Sequence, residues 1–224
     1  MRLSTLFSWI RIHAAVLGLV LFGLAVLVFS WARPTPSEAE TLAERFGVER
    51  SWAFDSYCTS WRPEGRRKAV VSAAHCHASV SATHEDGTLA PDYIDGAVYN
   101  GRLEVRPRKM VDGEAVILIG YPARSEVPVL SRGVVHLAGH RRGGDGVAPV
   151  SIVKLTQPAE PVVAGMSGGA VLSEAGEPLG ILTTSNGVAD LDGDGQPDYS
   201  ADVVELHELW VIQPQPQPQT QSQP

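Results

Sequence analysis

Val70-Val71-Ser72-Ala73-Ala74-His75-Cys76 is the stretch on which the reading of this chain turns. β-Branched residues give way to small ones, and a histidine then stands directly before a cysteine. Its counterpart lies far downstream, in Gly165-Met166-Ser167-Gly168-Gly169-Ala170, a serine set among glycines ahead of an apolar run. Glycines at such a place let backbone N–H groups turn inward around a negative charge developing on an oxygen. Side chains would block that turn or forbid its dihedrals. Between the two lies Ile94-Asp95-Gly96-Ala97-Val98-Tyr99, an acid at the mouth of an apolar strand. A carboxylate there can accept a hydrogen bond from one imidazole nitrogen. That bond fixes the tautomer and leaves the other nitrogen to take a proton from a hydroxyl. Asp92 is the reserve candidate for the same task.

Around these motifs run short apolar segments: Lys68–Ala74, Glu114–Ile119, Val127–Leu137, Val150–Leu155, Ala170–Leu172 and Leu179–Leu182. Turn signals separate them, among them Asp86-Gly87, Asp112-Gly113, Arg142–Gly146 and Glu174–Glu177. Many short strands with frequent turns predict an all-β barrel or sandwich. Val203 to Ile212 reads as a short closing helix, with Leu206, Leu209 and Trp210 on one face. Ser37-Glu38-Ala39-Glu40 reads as a capping box, with a short helix over Thr41 to Phe46. The net charge of −7 argues against a general nucleic-acid binder.

The two ends differ from this body. Between Arg11 and Arg33 lie 21 residues with no charged group except for His13 if protonated. As a helix they would span about 31 Å, the thickness of a bilayer's hydrocarbon core. Trp9 and Trp31 flank the run, as interfacial aromatics do. Its length favours an uncleaved transmembrane anchor, while Ser30-Trp31-Ala32 keeps a cleaved signal segment, and hence secretion, open. Either way the body is expected beyond the cytoplasmic membrane, on its periplasmic or extracellular side. In that compartment a disulfide is the default reading of Cys58 and Cys76. From Gln213 to Pro224 the chain is almost only Gln and Pro, which cannot build a core. The expected organisation is an anchor or signal segment over 1–32, a linker with a short helix over 33–50, a catalytic domain over 51–212 and a tail over 213–224.

Taken together, the motifs resemble those of the trypsin/chymotrypsin-like serine peptidases. Ser72–Cys76 is similar to the block around that family's catalytic histidine, Asp95–Val98 to the block of its aspartate, and Gly165–Ala170 to its "G-D-S-G-G-P". The order His, Asp, Ser is the family's order. Cys58 stands 18 residues before Cys76, where the family places the partner that staples the histidine loop. Ile119-Gly120-Tyr121-Pro122 followed by Gly133-Val134-Val135 resembles a pattern of bacterial members, and Gly176–Ile181 the stretch after the catalytic serine. The resemblance covers about Trp52 to Trp210.

The resemblance implies two six-stranded antiparallel β-barrels, here with an N-terminal transmembrane helix and a short C-terminal helix. It implies hydrolysis of polypeptide substrates, with Ser167 as nucleophile, His75 as base and then acid, and Asp95 orienting His75. The amides of Gly165 and Ser167 would form the oxyanion hole. Thr183, Thr184 and Ser185 would pair with substrate main chain as an added strand. The chain also departs from the family. Met166 replaces the acid that pairs with a newly freed N-terminus, so the site is expected to be preformed. Ala170 replaces a proline, and the interval of 20 residues from His75 to Asp95 is short. Glu160 and Pro161 fall where the base of the primary specificity pocket is expected, and no acid is firmly placed there.

Two further readings fit some of these residues. Gly165-x-Ser167-x-Gly169 also fits the nucleophile elbow of α/β-hydrolases, with His207 downstream, but that fold needs alternating strands and helices that this body lacks. A binding protein on a peptidase-like scaffold that has lost catalysis is the rival from another class. His77, His84, His136 and His140 show no metal-ligand spacing and read as surface residues. Asp190, Asp192, Asp194, Gln196 and Asp198, in the run Asp190-Leu191-Asp192-Gly193-Asp194-Gly195-Gln196-Pro197-Asp198, resemble calcium loops in the spacing of their oxygen ligands. A structural Ca²⁺ is one expectation there, and an acidic turn that binds nothing is the other. No cofactor is expected for catalysis itself.

Overall fold

The computed structural model describes residues 36–53, 56–65, 68–91, 94–141, 149–156 and 162–213, with the backbone alone at 140, 141, 149 and 185–189. The apolar segment between Arg11 and Arg33, the tail beyond Gln213, and Asp92, Glu160 and Pro161 lie outside the described residues. Among the described residues no helix is long and apolar enough to cross a membrane.

Helix α1 (Glu38–Phe46) begins at the expected capping box. Ser37 Oγ accepts from Glu40 N at 3.2 Å, and Glu40 Oε2 accepts from Ser37 N at 2.7 Å. Gly47, in the left-handed region at φ 54°, ends the helix. Ala39, Ala43 and Phe46 form its buried stripe, with Val48 just beyond. These residues pack into the larger hydrophobic cluster, so this part of the expected linker belongs to the body.

The C-terminal half is a closed antiparallel barrel. Its strands are β6 (Ala115–Gly120), β7 (Val129–Arg141), β8 (Pro149–Leu155), β9 (Ala170–Ser173), β10 (Pro178–Ala189) and β11 (Asp198–Glu205), in the order β10-β11-β8-β7-β6-β9. Alternate residues fill the inside: Val116, Leu118, Val135, Val153, Val171, Leu182, Ala201 and Val203 share one buried cluster. Ile117, Ile119, Ala170, Leu172, Ile181 and Val204 point the other way, into the cluster shared with α1 and with α3 (Leu206–Ile212). The closing helix starts at Leu206 rather than Val203. Val203 to Glu205 pair as strand in β11, with Leu182, Ile181 and Gly180 of β10 as partners.

The N-terminal half does not close into a second six-stranded barrel among the described residues. It holds a hairpin of β1 (Glu49–Ala53) with β2 (Ser56–Ser60), and a three-stranded sheet of β3 (Val70–Ser72), β5 (Ala97–Tyr99) and β4 (Thr88–Leu89). A single bridge, Trp61 to Val71, joins the two sheets. The physical reason lies in the stretch after β5, where a sixth strand would need backbone donors. Side chains claim those donors instead. Glu64 Oε1 accepts from Glu104 N and Val105 N at 2.8 and 2.6 Å, Gln213 Oε1 from Leu103 N at 2.9 Å, and Glu205 Oε2 from Met110 N at 3.2 Å. Asn100 and Gly101, at φ 57° and 126°, have already turned the chain out of the sheet.

Candidate functional site

His75 sits on a 3₁₀ turn (Ala74–Cys76) between β3 and the short helix α2 (His77–Val80). The next residue, Cys76, is bonded to Cys58 of β2, with the Cα atoms 5.9 Å apart. A ring nitrogen of His75 lies within 4.8 Å of both sulfurs. The bridge closes a loop of 18 residues, worth roughly 3 kcal/mol in the chain-entropy account. Its second effect is to hold the histidine turn against the β1–β2 hairpin.

Asp95 grips this turn with both oxygens. Its Oδ2 is 2.7 Å from His75 Nδ1, and its Oδ1 accepts from the His75 backbone N–H at 3.0 Å. The short interval of 20 residues is therefore enough to bring the carboxylate onto the ring. The hydrogen bond to Asp95 raises the pKa of His75, with partial burial opposing and the carboxylate's charge adding. Burial pushes Asp95 upward, but the hydrogen bonds from the His75 ring and amide, its charge, and the Ala74 amide outweigh it. The carboxyl stays below its ordinary value.

Ser167 stands at the tip of the glycine turn before β9. Gly165 and Gly168 both have positive φ, 96° and 85°, so only glycine suits them. Contacts add to this: a Cβ on Gly168 would meet the Thr59 carbonyl oxygen at 1.9 Å, and one on Gly165 the Ala123 nitrogen at 2.4 Å. Two carbonyls of the turn are tied down, Ala164 O by Ala123 N at 2.7 Å and Met166 O by Gly169 N at 2.9 Å. In a trans peptide the N–H points opposite to its C=O. The amides of Gly165 and Ser167 are thus aimed away from those ties, and neither bonds a backbone group among the described residues. The Met166 side chain is wholly buried in the barrel cluster.

The serine hydroxyl donates to the Thr183 carbonyl at 2.9 Å, and among the described residues no hydrogen bond joins it to His75. The two turns are neighbours all the same, for Cys76 Sγ lies 3.7 Å from the Ser167 carbonyl oxygen. A half-cystine sulfur has no proton, so this is a contact only. Thr183 and Thr184 lie on β10 just past its last β9 partner, Ile181. Thr183 is buried, its hydroxyl on the Asp202 carbonyl at 3.2 Å; Thr184 is exposed, its hydroxyl 3.3 Å from Asp202 Oδ2. Ser185 pairs through its backbone with Ala201.

Sequence reading missed Thr59. It is fully buried on β2 and touches the serine turn and β3, the strand that leads into the histidine turn. Its N–H donates to Ser167 O at 2.7 Å, and its carbonyl accepts from Ser72 Oγ at 2.7 Å. Its hydroxyl donates to Gly165 O and accepts from Tyr121 N, each at 3.0 Å. The only signal for it in the sequence is its place next to Cys58. His84, expected on the surface, is buried at 6 % exposure near Tyr99 and Glu49. Burial lowers its pKa, outweighing the charge of Glu49.

The Asp-rich turn joins β10 to β11. Carboxylate oxygens of Asp190, Asp192 and Asp194 come within 4.8 Å of one another. The turn's own amides already use them: Gly193 N and Gly195 N bond Asp190, and Gln196 N bonds Asp194. Asp198 is turned to Lys154 at 2.7 Å and to Leu191 N at 3.1 Å, and Lys154 also pairs with Asp192. An all-oxygen set of this kind suits a hard cation, and Lys154 supplies one positive charge from the protein.

Thr59→Val keeps shape but leaves Gly165 O and Tyr121 N without their buried partner. At about 1–3 kcal/mol for each such group, we expect it to lower unfolding free energy in denaturant titration by roughly 2 kcal/mol or more, and Thr59→Ser to recover most of that. A valine variant as stable as the wild type would contradict the assignment.

No family model and no curated protein matches the chain. Solved structures do. The HtrA-type protease AlgW, solved with a tripeptide, is 16 % identical with a TM-score of 0.51, over 79 % of this chain and 62 % of its own; the match thus spans under two thirds of AlgW. Rv3671c from M. tuberculosis H37Rv, an inactive serine-to-alanine mutant, is 16 % identical over 81 % of this chain and 97 % of its own, with a TM-score of 0.48. The MamO protease domain from Magnetospirillum magneticum is 14 % identical over 70 % and 88 %, with a TM-score of 0.46. At these identities it is the scaffold that is shared: the fold resembles that of an HtrA-type, trypsin-like serine protease.

Proposed function

We infer that the chain is a serine endopeptidase acting outside the cytoplasmic membrane. The observation that carries this reading is the pair of oxygens that Asp95 places on His75, beside a serine turn whose Gly165 and Ser167 amides have no described backbone partner. A structural histidine needs no carboxylate to set its tautomer, and a structural turn needs no pair of amides left without a backbone partner. That AlgW is a protease solved with a tripeptide agrees with a polypeptide substrate.

In this reading the acyl half of the substrate lies along β10 at Thr183, Thr184 and Ser185, where β9 no longer pairs. Ser167 leaves the Thr183 carbonyl by rotating about χ1 and turns to His75. Its oxygen bonds the scissile carbonyl carbon while His75 Nε2 takes its proton. The oxyanion is held by the Gly165 and Ser167 amides. As the C–N bond breaks, His75 hands the proton to the leaving amine. Water then repeats the sequence, giving the carboxylic acid and restoring Ser167. Asp95 stabilises the imidazolium without taking its proton.

A second reading, an inactive binding protein on this scaffold, is favoured by one observation: the Ser167 hydroxyl is spent on Thr183 rather than His75. A fluorophosphonate probe decides between the two. The wild type should be labelled and Ser167→Ala should not; a folded wild type that takes no label leaves the binding protein.

The pH profile is a separate check. His75 must be neutral to accept the serine proton, and Asp95 raises its pKa. Activity should therefore fall as pH drops through that raised value. Asp95→Asn should shift the acid limb to lower pH and reduce kcat on the order of 10⁴-fold. An acid limb that stays in place removes Asp95 from the role.

For the Asp-rich turn we propose a structural Ca²⁺ on Asp190, Asp192 and Asp194, with Lys154 giving up Asp192. Calcium on the order of millimolar should raise the melting temperature and EDTA should reverse it. A melting temperature indifferent to both leaves Lys154 as the turn's counter-ion.

A further inference from the structure

A cavity of about 270 Å³ opens where the two halves of the body meet. Pro63 lines it from the N-terminal half, and Pro178 and Leu206 from β10 and the start of α3. Leu103, Val105 and Pro107 line it from the strap between β5 and β6. Leu103 and Leu206 are buried, but Val105 stays 65 % exposed. Two lining residues are charged, Glu64 and Lys68. Lys68 is answered by Glu104. Glu64 Oε1 accepts from the amides of Glu104 and Val105, at 2.8 and 2.6 Å. Its Oε2 is buried and has no hydrogen-bond partner among the described residues. A carboxylate oxygen in that position costs free energy until a donor reaches it. Two things would complete the cavity: aliphatic surface against Val105 and its neighbours, and an N–H or O–H for Glu64.

The chain carries a segment of that chemistry at the cavity's edge. Gln213 caps the C-terminus of α3, and its Oε1 accepts from the N–H of Leu103, itself a wall residue, at 2.9 Å. Beyond it, residues 214–224 comprise four Pro, five Gln, one Thr and one Ser. Every polar side chain in that run carries a donor, an amide N–H or a hydroxyl, and none is charged. The proline rings are aliphatic. Each also removes a backbone N–H that would need a partner on an apolar wall.

Reach and concentration favour this segment over a foreign peptide. At about 3.1 Å per residue, the rise of the extended helix that proline favours, the run reaches roughly 34 Å from Gln213. A tether of this length holds its segment at an effective concentration on the order of millimolar, so a shallow groove suffices. We propose that residues 214–224 dock in cis in this cavity, with proline rings against Val105, Pro107 and Pro178 and a glutamine side-chain amide donating to Glu64 Oε2. Seated there, the segment touches walls from both halves and from the strap that joins them. The inference is independent of the peptidase reading.

The test compares the full chain with one that ends at Gln213, by hydrogen–deuterium exchange at the amides of residues 104–109. With a groove affinity on the order of 0.1 mM and a millimolar tether, the segment is seated about nine-tenths of the time. Exchange there should then be about tenfold slower in the full chain than in the shortened one. Val105→Glu, at a position already open to water, should erase the difference between the two. A synthetic peptide of residues 214–224, at millimolar concentration, should restore slow exchange to the shortened chain, and the same peptide with alanine for each proline should not. Equal rates in the full and shortened chains, or a peptide without effect, overturn the inference. Slow exchange that survives Val105→Glu puts the segment elsewhere and overturns it too. Protection that rises with protein concentration gives the cavity to the tail of a second copy and overturns docking in cis.

Discussion

The buried hydrogen bonds of Thr59 are the constraint on which the rest of the site depends. One residue of β2 meets the serine turn through its N–H and its hydroxyl, the histidine strand through its carbonyl, and the loop after β6 through its hydroxyl again. The close approach explains why Gly168 has no room for a side chain: the space a Cβ would need is taken by the Thr59 carbonyl and the Ser72 hydroxyl. Buried polar atoms leave little freedom once paired, since losing a partner costs more than making one gains. Thr59 thereby ties the serine turn of the closed barrel to β3, the strand that leads into the histidine turn.

Electrostatics complete what packing begins. Asp95 reaches His75 from the mouth of β5, and each group pulls the other toward its charged form. Both remain partly open to water, with side-chain exposures of 46 % and 34 %, so the pair is poised rather than locked. The serine hydroxyl, by contrast, rests on a main-chain acceptor of β10. As it stands, Asp95 holds the imidazole and the Thr183 carbonyl holds the serine hydroxyl.

Much of this was legible in the sequence where the cause is local. A histidine against a cysteine, a serine between glycines of positive φ and a capping box at Ser37 are short-range patterns, and each appears where it was read. Features set by distant partners were not legible. Val203 to Leu209 spaces its apolar residues as a helix would, and only pairing with β10 and β8 makes the first three strand. Among the described residues the N-terminal sheets stay open, and the amides at 103, 104, 105 and 110 meet carboxylates and an amide side chain more than 35 positions away. The role of Thr59 depends on which face of a hairpin turns inward, and β1 and β2 carry no alternation clear enough to tell.

Met166 carries a consequence of its own. Where an ion pair would order a serine turn by a charge arriving from elsewhere, this chain inserts an apolar side chain into the barrel interior, at 0 % exposure. Apolar burial is not screened by salt as an ion pair between exposed charges is. The turn is then as durable as the barrel it is plugged into. Heat or denaturant that loosens the barrel loosens the turn with it.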